Sequence, residues 1–171
     1  MEVANVVEGK ARPALWGGTV AGLVGGVLLT LFNLLTDLVR GRDLWAGVKV
    51  AAYPFVGETA LAPGYDAGPV LQGLTTHLGI SVIWGVLFAL TAFGMSRAAT
   101  VSFGIIWGVL VWIGMCYFVL PLTSSSVLTR GTPTLLAVGQ HLVFGLGLGL
   151  GFLPYQRPVV RRTVWAHHLP V

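Results

Sequence analysis

Two histidines lie within long apolar stretches of the chain, where an ionisable side chain is costly to bury. His141 lies in the uncharged stretch of residues 135–154, and His77 lies early in a second apolar stretch. Each histidine follows a polar residue, Gln140 or Thr76. An ionisable residue inside a membrane-spanning segment indicates a functional site by default. These two dipeptides are therefore the first candidates for chemistry.

Further polar side chains lie near the ends of two other apolar stretches. Asn33 and Asp37 are four residues apart, so they share one face of a helix, and Tyr117 lies near the end of another stretch. Asp37 is expected as an interfacial carboxylate close to Arg40 and Arg42. The candidate ligand or proton site thus comprises His77, His141, Gln140, Asn33, Thr76, Asp37 and Tyr117.

Three interpretations of this set are open. In the first, each histidine has a structural role and hydrogen-bonds a neighbouring helix through Gln140, Thr76 or Asn33, which contributes about 0.6–2 kcal/mol per bond. In the second, the histidines take up protons or a small solute, because imidazole titrates near neutral pH. In the third, His77 and His141 hold the iron of haem b axially. No third His, Cys or carboxylate lies securely at the same depth to complete another metal site.

The composition is that of an integral membrane protein. The chain has 171 residues, of which 55% are hydrophobic and only 9% are charged, and its mean hydropathy is +0.83. A soluble domain carries roughly a quarter charged residues. The net charge of +4 therefore concerns topology and lipid contact rather than nucleic acid. The single cysteine, Cys116, excludes an internal disulfide.

Four stretches are long enough to cross a bilayer, which takes about twenty apolar residues. The sequence therefore predicts an all-α, polytopic four-helix transmembrane bundle built as two similar helix pairs. A polar N-terminal arm (1–13) precedes a single transmembrane domain (14–155), and a basic tail (156–171) follows. The predicted spans are residues 14–38, 70–95, 98–120 and 134–155.

Glycines recur at helical spacing and are expected to let the spans approach closely. The predicted packing glycines are Gly18, Gly22, Gly26, Gly85, Gly104, Gly108, Gly145 and Gly149. Gly85 follows His77 by the same interval as Gly149 follows His141. His77 and His141 each lie about seven or eight residues into their predicted spans, so with cytoplasmic termini both are expected roughly 10 Å below the outer membrane surface.

The longest connection, residues 39–69, is expected to form a lid over the helix ends, because connections of this length are often functional. Within it, the segment from Leu44 to Tyr53 predicts a short interfacial helix, with Trp45 at headgroup level. The Lys and Arg residues near the termini and in the 96–97 turn outnumber those in the other two connections. The positive-inside rule then predicts cytoplasmic termini.

No enzyme motif is present in the sequence. It contains no Gly-x-Ser-x-Gly elbow, no Gly-x-x-x-x-Gly-Lys loop and no His-Glu-x-x-His. We therefore expect a non-enzymatic protein without a cofactor, haem b being the one alternative considered.

Short motifs in three spans match a known pattern. They are Thr76-His77 in the second span, Trp107-Gly108 through Pro121-Leu122 in the third, and His141-Leu142 ahead of a basic tail. Residues 70–162 thereby resemble the YagU-type (DUF1440-like) family of small four-span bacterial inner-membrane proteins. The resemblance implies a bacterial inner-membrane location, an association with acid resistance, and His77 and His141 as the matching polar positions. The long connection before Val70 departs from the family pattern.

The leading hypothesis is a small non-enzymatic membrane protein whose outer-leaflet pocket handles protons or a small solute. One alternative is an accessory or bis-histidine haem-binding subunit of a larger membrane complex, and another is a purely structural or oligomer-forming protein. The expected partners are the lipid bilayer and either further copies of the chain or a membrane complex, since four spans enclose little room. No nucleic-acid partner is expected.

Overall fold

The computed structural model describes residues 2–122 and 133–156, with side chains from Arg12 onward. The part of the chain that it describes is helical and includes four helices long and apolar enough to cross a membrane. The predicted all-α, four-span fold is therefore confirmed. The four candidate spans are Arg12–Val39, Ala67–Ala92, Arg97–Leu122 and Thr134–Tyr155.

The helices follow one another in chain order. They are α1 (Glu2–Val39), α2 (Ala46–Lys49), α3 (Tyr53–Val56), α4 (Ala67–Ala92), α5 (Arg97–Gly114), α6 (Leu120–Leu122) and α7 (Thr134–Phe152). Short 3₁₀ turns follow α2, α3 and α7, and a π-helical turn (Met115–Val119) joins α5 to α6. The segment expected as a polar arm is part of α1. Apart from Gln156, the basic tail lies outside the described residues.

The turn between α4 and α5 ends the second span three residues earlier than predicted. Phe93 adopts an extended conformation and Gly94 has φ 91°, a left-handed value that favours glycine. The side chain of Gln156 fills this turn: its Oε1 accepts from the Gly94 amide at 2.9 Å, and its Nε2 donates to Ala92 O at 2.6 Å and to Thr100 Oγ1 at 2.7 Å. The end of the last span is thereby bound to the turn.

Three of the helix contacts are made through glycine. Helix α1 packs against α4 and α7, and α7 packs against α5. A Cβ atom on Gly85 would lie 2.5 Å from Gly22 Cα, and one on Gly147 would lie 2.7 Å from Gly25 Cα, so no larger residue fits without separating the helices. Every glycine of the predicted stripes lies in one of these contacts.

The contact between α4 and α5 is different, because aromatic rings fill it. Phe88 is fully buried, and its ring centroid lies 5.8 Å from that of Phe103 and 6.1 Å from that of Trp107. Trp84 meets Trp107 edge-on at 6.3 Å. Offset or edge-on ring pairs of this kind add to the stabilisation from burial. Large rings thus close the fourth side of the bundle.

The α1–α4 pair and the α5–α7 pair pack alike, but their contacts align residues differently from the repeat in the sequence. A Cβ atom on Gly22 would collide with Ser81 O, and one on Gly108 would collide with His141 O. Ser81, and not His77, is therefore the counterpart of His141. The repeat in the sequence aligns His77 with His141, whereas the helix contacts align Ser81 with His141, one helical turn or about 6 Å further along the helix axis. Close glycine packing sets this register, and the spacing within each span does not encode it.

The connection after α1 folds back onto the bundle as a series of short helical turns. These turns run from Ala46 to Leu61, further than the interfacial helix that was predicted. Gly73 of α4 is buried directly beneath the connection, because a Cβ atom there would collide with Val48 O. The connection therefore covers one end of the α1–α4 contact.

Candidate functional site

A small cavity lies beneath the connection, and we call it the lid cavity. Its volume is about 30 Å³. Helix α1 contributes Thr30 and Asn33 to the wall, α4 contributes Leu74 and His77, and the connection contributes residues including Val48. The lid expected from the length of the connection thus has a polar space beneath it.

A second cavity, which we call the histidine cavity, lies deeper between the four spans. Its volume is about 60 Å³. His77 and His141 both line it, together with Ser81, Trp84 and Met115. The structure therefore brings the two histidines together, although they occupy different positions in their helix pairs. His77 lines both cavities.

The ring of His77 is held by a backbone carbonyl of the neighbouring helix. Its Nε2 lies 3.0 Å from Gly26 O. A carbonyl oxygen only accepts, so Nε2 carries the proton, and neutral His77 has its lone pair on Nδ1. The partner expected from the sequence was a side chain, and this expectation is wrong. Gly26 has no Cβ atom, which is why Ser81 and His77 can approach α1 so closely.

His141 is held within its own helix. Its Nδ1 lies 2.8 Å from Ala137 O, so Nδ1 donates and neutral His141 has its lone pair on Nε2. The two rings are thus fixed in opposite tautomers, one by a bond between helices and the other by a bond within a helix. Each keeps one nitrogen that can accept a proton or bind a ligand.

Asn33 supplies an unsatisfied acceptor beside the lid cavity. Its Oδ1 is buried and has no hydrogen-bond partner among the residues that the structure describes. Buried polar atoms of this kind are normally satisfied by protein or ordered water. A cavity holds a water molecule once it offers about 10–15 Å³. Both cavities exceed this volume, so each has room for water.

The other four candidate residues line neither cavity. Thr76 donates to Gln72 O of its own helix at 2.8 Å, and Gln140 is half-buried on α7. Tyr117 is 66% exposed and its ring packs edge-on against Trp112. The fourth is Asp37, which lies near the end of α1. Thr76, Gln140 and Tyr117 lie at other angles around their helices, and Asp37 lies one turn beyond Asn33 on the same face of α1.

Asp37 pairs with Arg42, one of the two arginines expected to lie close to it. The carboxylate is 5% exposed, and its Oδ1 lies 3.1 Å from Arg42 Nε. A Cβ atom on Gly47 would lie 3.1 Å from Asp37 Oδ2, so the carboxylate also lies against the connection. Asp37 therefore helps to fix the connection to the end of α1.

Lys49 is a structural residue that the sequence analysis missed. It is 1% exposed, and its Nζ lies 3.3 Å from Asp43 Oδ2 and donates to Gly64 O at 2.6 Å and to Ala62 O. A buried ammonium group requires such partners. The signal was present in the sequence, since Lys49 is an isolated charge within the apolar run from Leu44 to Phe55.

Asp43 completes this arrangement at the surface of the connection. Burial raises the pKa of its carboxyl, but hydrogen bonds from the amides of Trp45 and Gly64, followed by the hydrogen bond and charge of Lys49, lower it further, so the net pKa lies below the ordinary value of 3.8. The 40–66 connection is therefore held closed by an ionised carboxylate at neutral pH.

Comparison with known proteins gives one match. A model of a family of unknown function, DUF6789, covers residues 13–160, which includes the four spans and the connection. No curated protein and no solved structure matches the chain. The family match carries no support for the YagU-type name. Because the match extends over most of the sequence, the chain belongs to the DUF6789 family of unknown function.

Proposed function

We propose that this protein is a small non-enzymatic membrane protein that takes up protons or a small polar solute at the two cavities. The observation that carries the proposal is the position of His77, which lines both the lid cavity and the histidine cavity. A titratable group that lines two polar cavities can receive a proton from one and pass it to the other. Asn33 and His141 supply polar groups on either side.

The sizes of the cavities support this class of ligand. Pockets for drug-sized molecules have volumes of roughly 300–1,000 Å³. The cavities here, at about 30 and 60 Å³, have room for water, a proton carried by water, or a small ion. We therefore exclude larger organic substrates from the proposal.

The hydroxyl groups of the cavities support a non-enzymatic role. Thr30 Oγ1 donates to Gly26 O at 2.9 Å, and Ser81 Oγ donates to His77 O at 2.8 Å. A nucleophilic hydroxyl needs a general base that accepts its proton. Both hydroxyl protons are instead given to backbone carbonyls of their own helices.

The residues do not fit haem b. The histidine cavity is several times smaller than a cofactor pocket, and Trp84 and Phe144 are part of its wall. We therefore leave the haem-binding subunit out of the proposal.

The proposal extends to location and assembly. We place the termini in the cytoplasm on the basis of the charge distribution in the sequence, and the protein in a bacterial inner membrane on the basis of its resemblance to YagU-type proteins. Four spans enclose little space, so we propose an oligomer or a membrane complex as the working unit. The resemblance to YagU-type proteins is the basis for adding acid tolerance as the phenotype to test.

The experiment is a flux measurement on the purified full-length protein in liposomes. A pH-sensitive dye inside the vesicles follows protons under a fixed membrane potential, and stopped-flow light scattering follows water. We expect flux above that of protein-free vesicles. His77→Leu should abolish it, because the side chain shared by the two cavities would then be apolar and could not carry a proton.

Thr75→Val is the matched control. Thr75 is near His77 on α4, but it is exposed, and its hydroxyl donates to Leu71 O of the same helix. This variant should keep full flux. Equal flux through the His77→Leu variant and the unmodified protein would refute the proposal, as would the absence of any flux above protein-free vesicles.

A further inference from the structure

The wall of the histidine cavity brings together three side chains that can bind a metal. They are the imidazoles of His77 and His141 and the thioether of Met115, which come from three different helices. Within the described residues, no three His, Cys, Asp or Glu side chains form a cluster that could hold a metal ion. The third ligand here is a methionine, a residue type outside that conventional set.

Both histidines have the hydrogen bonds that metal-binding histidines usually have. In metal sites, the ring nitrogen that does not bind the metal almost always donates to a carbonyl, a carboxylate or water, which fixes the tautomer. His77 Nε2 donates to Gly26 O at 3.0 Å, and His141 Nδ1 donates to Ala137 O at 2.8 Å. The lone pairs therefore remain on His77 Nδ1 and His141 Nε2.

The donor atoms of these three side chains favour one class of metal ion. All three donors are neutral, and no carboxylate is among the described residues that line the cavity. The cost of burying an ion rises steeply with its charge, so uncompensated burial favours a monovalent ion. Thioether and imidazole donors suit Cu(I), whereas Mg²⁺ and Ca²⁺ need oxygen ligands. Cu(I), and its redox-inert analogue Ag(I), are the ions that fit.

The backbone conformation at Met115 is a second observation that points to a binding site, and it is independent of the side chains. The α-helical pattern of α5 ends at Gly114, and the π-helical turn Met115–Val119 begins there. Such turns are rare and occur frequently at functional sites. Gly114 also makes room for Trp84, since a Cβ atom on this glycine would lie 3.2 Å from the tryptophan ring.

We propose that the histidine cavity binds one soft monovalent metal ion, Cu(I) or Ag(I), through His77, His141 and Met115. The proposal deepens the proposed function, because it names the solute class for the same cavity. It requires no redox step, since the ion enters and leaves as a monovalent cation.

The test is a calorimetric titration of the purified full-length protein with Ag(I) in a chloride-free buffer. The silver that the protein retains after desalting is measured as well. The chain has two further histidines, His167 and His168, and one free thiol, Cys116, which would itself bind Ag(I). The two histidines are therefore replaced by alanine and Cys116 by serine in the background protein. We expect one Ag(I) ion per chain. Met115→Leu and His141→Leu should each weaken binding by at least about tenfold, the lower end of what even an outer-shell change costs.

Met95→Leu is the matched control. Met95 is also half-buried and packed against the core, but it is in the α4–α5 turn and does not line the cavity. Met-to-Leu exchanges usually preserve folding, and circular dichroism checks this for each variant. Equal weakening by Met95→Leu, unchanged binding by folded Met115→Leu, or no stoichiometric silver in the background protein would each overturn the proposal.

The flux measurement separates this proposal from the proposed function. Flux that depends on His77, in a protein that retains no silver, would refute the metal site and leave the proton or solute site in place. Retained silver that depends on Met115, in a protein without flux, would support metal binding and refute conduction through the cavities.

Discussion

His77 Nε2 on α4 lies 3.0 Å from the carbonyl oxygen of Gly26 on α1. Gly26 is also a close-packing glycine, since a Cβ atom there would lie 2.7 Å from Ser81 Oγ. The same residue therefore permits the approach of the two helices and accepts the hydrogen bond of the histidine. Helix packing and the candidate site are one structural feature at this point.

The two histidines should differ in their effect on stability. His77→Leu removes a bond between helices, and bonds of this kind in membranes contribute about 0.6–2 kcal/mol. We expect its free energy of unfolding to fall by that amount, measured by denaturant titration in mixed micelles. His141→Leu removes only a bond within α7 and should have the smaller effect. The reverse order would contradict the assigned partners.

Gly85 should not tolerate alanine. A Cβ atom there would lie 2.5 Å from Gly22 Cα, and backbone atoms cannot move aside without separating α1 from α4. Overpacking of this kind typically costs about 1–3 kcal/mol, and thermal unfolding should show it. Gly79→Ala on the same helix is the control, because a Cβ atom at Gly79 would meet open space. Equal stability of the two variants would show that the α1–α4 contact is not as close as described.

The Asp43–Lys49 pair should hold the connection closed. Asp43→Ala leaves the buried Lys49 ammonium without a counter-charge, and removal of one partner of a buried pair is strongly destabilising. We expect faster amide hydrogen exchange between residues 43 and 64, measured by mass spectrometry. Arg40→Met is the control, since Arg40 is exposed. Unchanged exchange in Asp43→Ala would count against this role.

The stability of the folded connection should depend on pH. The pKa of Asp43 is lower in the folded protein than its ordinary value of 3.8. Its contribution is therefore present above pH 3.8 and is lost as the pH falls through the lower, folded value. The protection factor of the amides in the 43–64 segment, which compares their exchange with that of unfolded peptide at the same pH, should be high at neutral pH and fall below about pH 4.

Asp43→Asn supplies the comparison for this pH dependence. Asparagine keeps a hydrogen-bond acceptor but has no carboxyl to titrate. Most of the loss of amide protection in acid should therefore disappear. An acid response of the same size in both proteins would assign it to another group.

The sequence by itself determined how many helices cross the membrane. The length of an apolar stretch is a local property that can be compared directly with the thickness of a bilayer. Glycine spacing is also local, and so the packing stripes were identified before their partners were known. The ion pair of Asp37 with Arg42 could be predicted for the same reason, because the two residues are close in the chain.

Only the tertiary structure decided which of these features meet. Each helix can rotate about its axis and slide along it without a change in its own sequence pattern, and close packing fixes both movements. This packing makes Ser81 the counterpart of His141, places Met115 in the wall of the histidine cavity, and leaves Tyr117 exposed. It also buries Lys49 among carbonyls more than ten residues away in the chain. Contacts between distant residues depend on rotation and register, and neither is encoded in a single span.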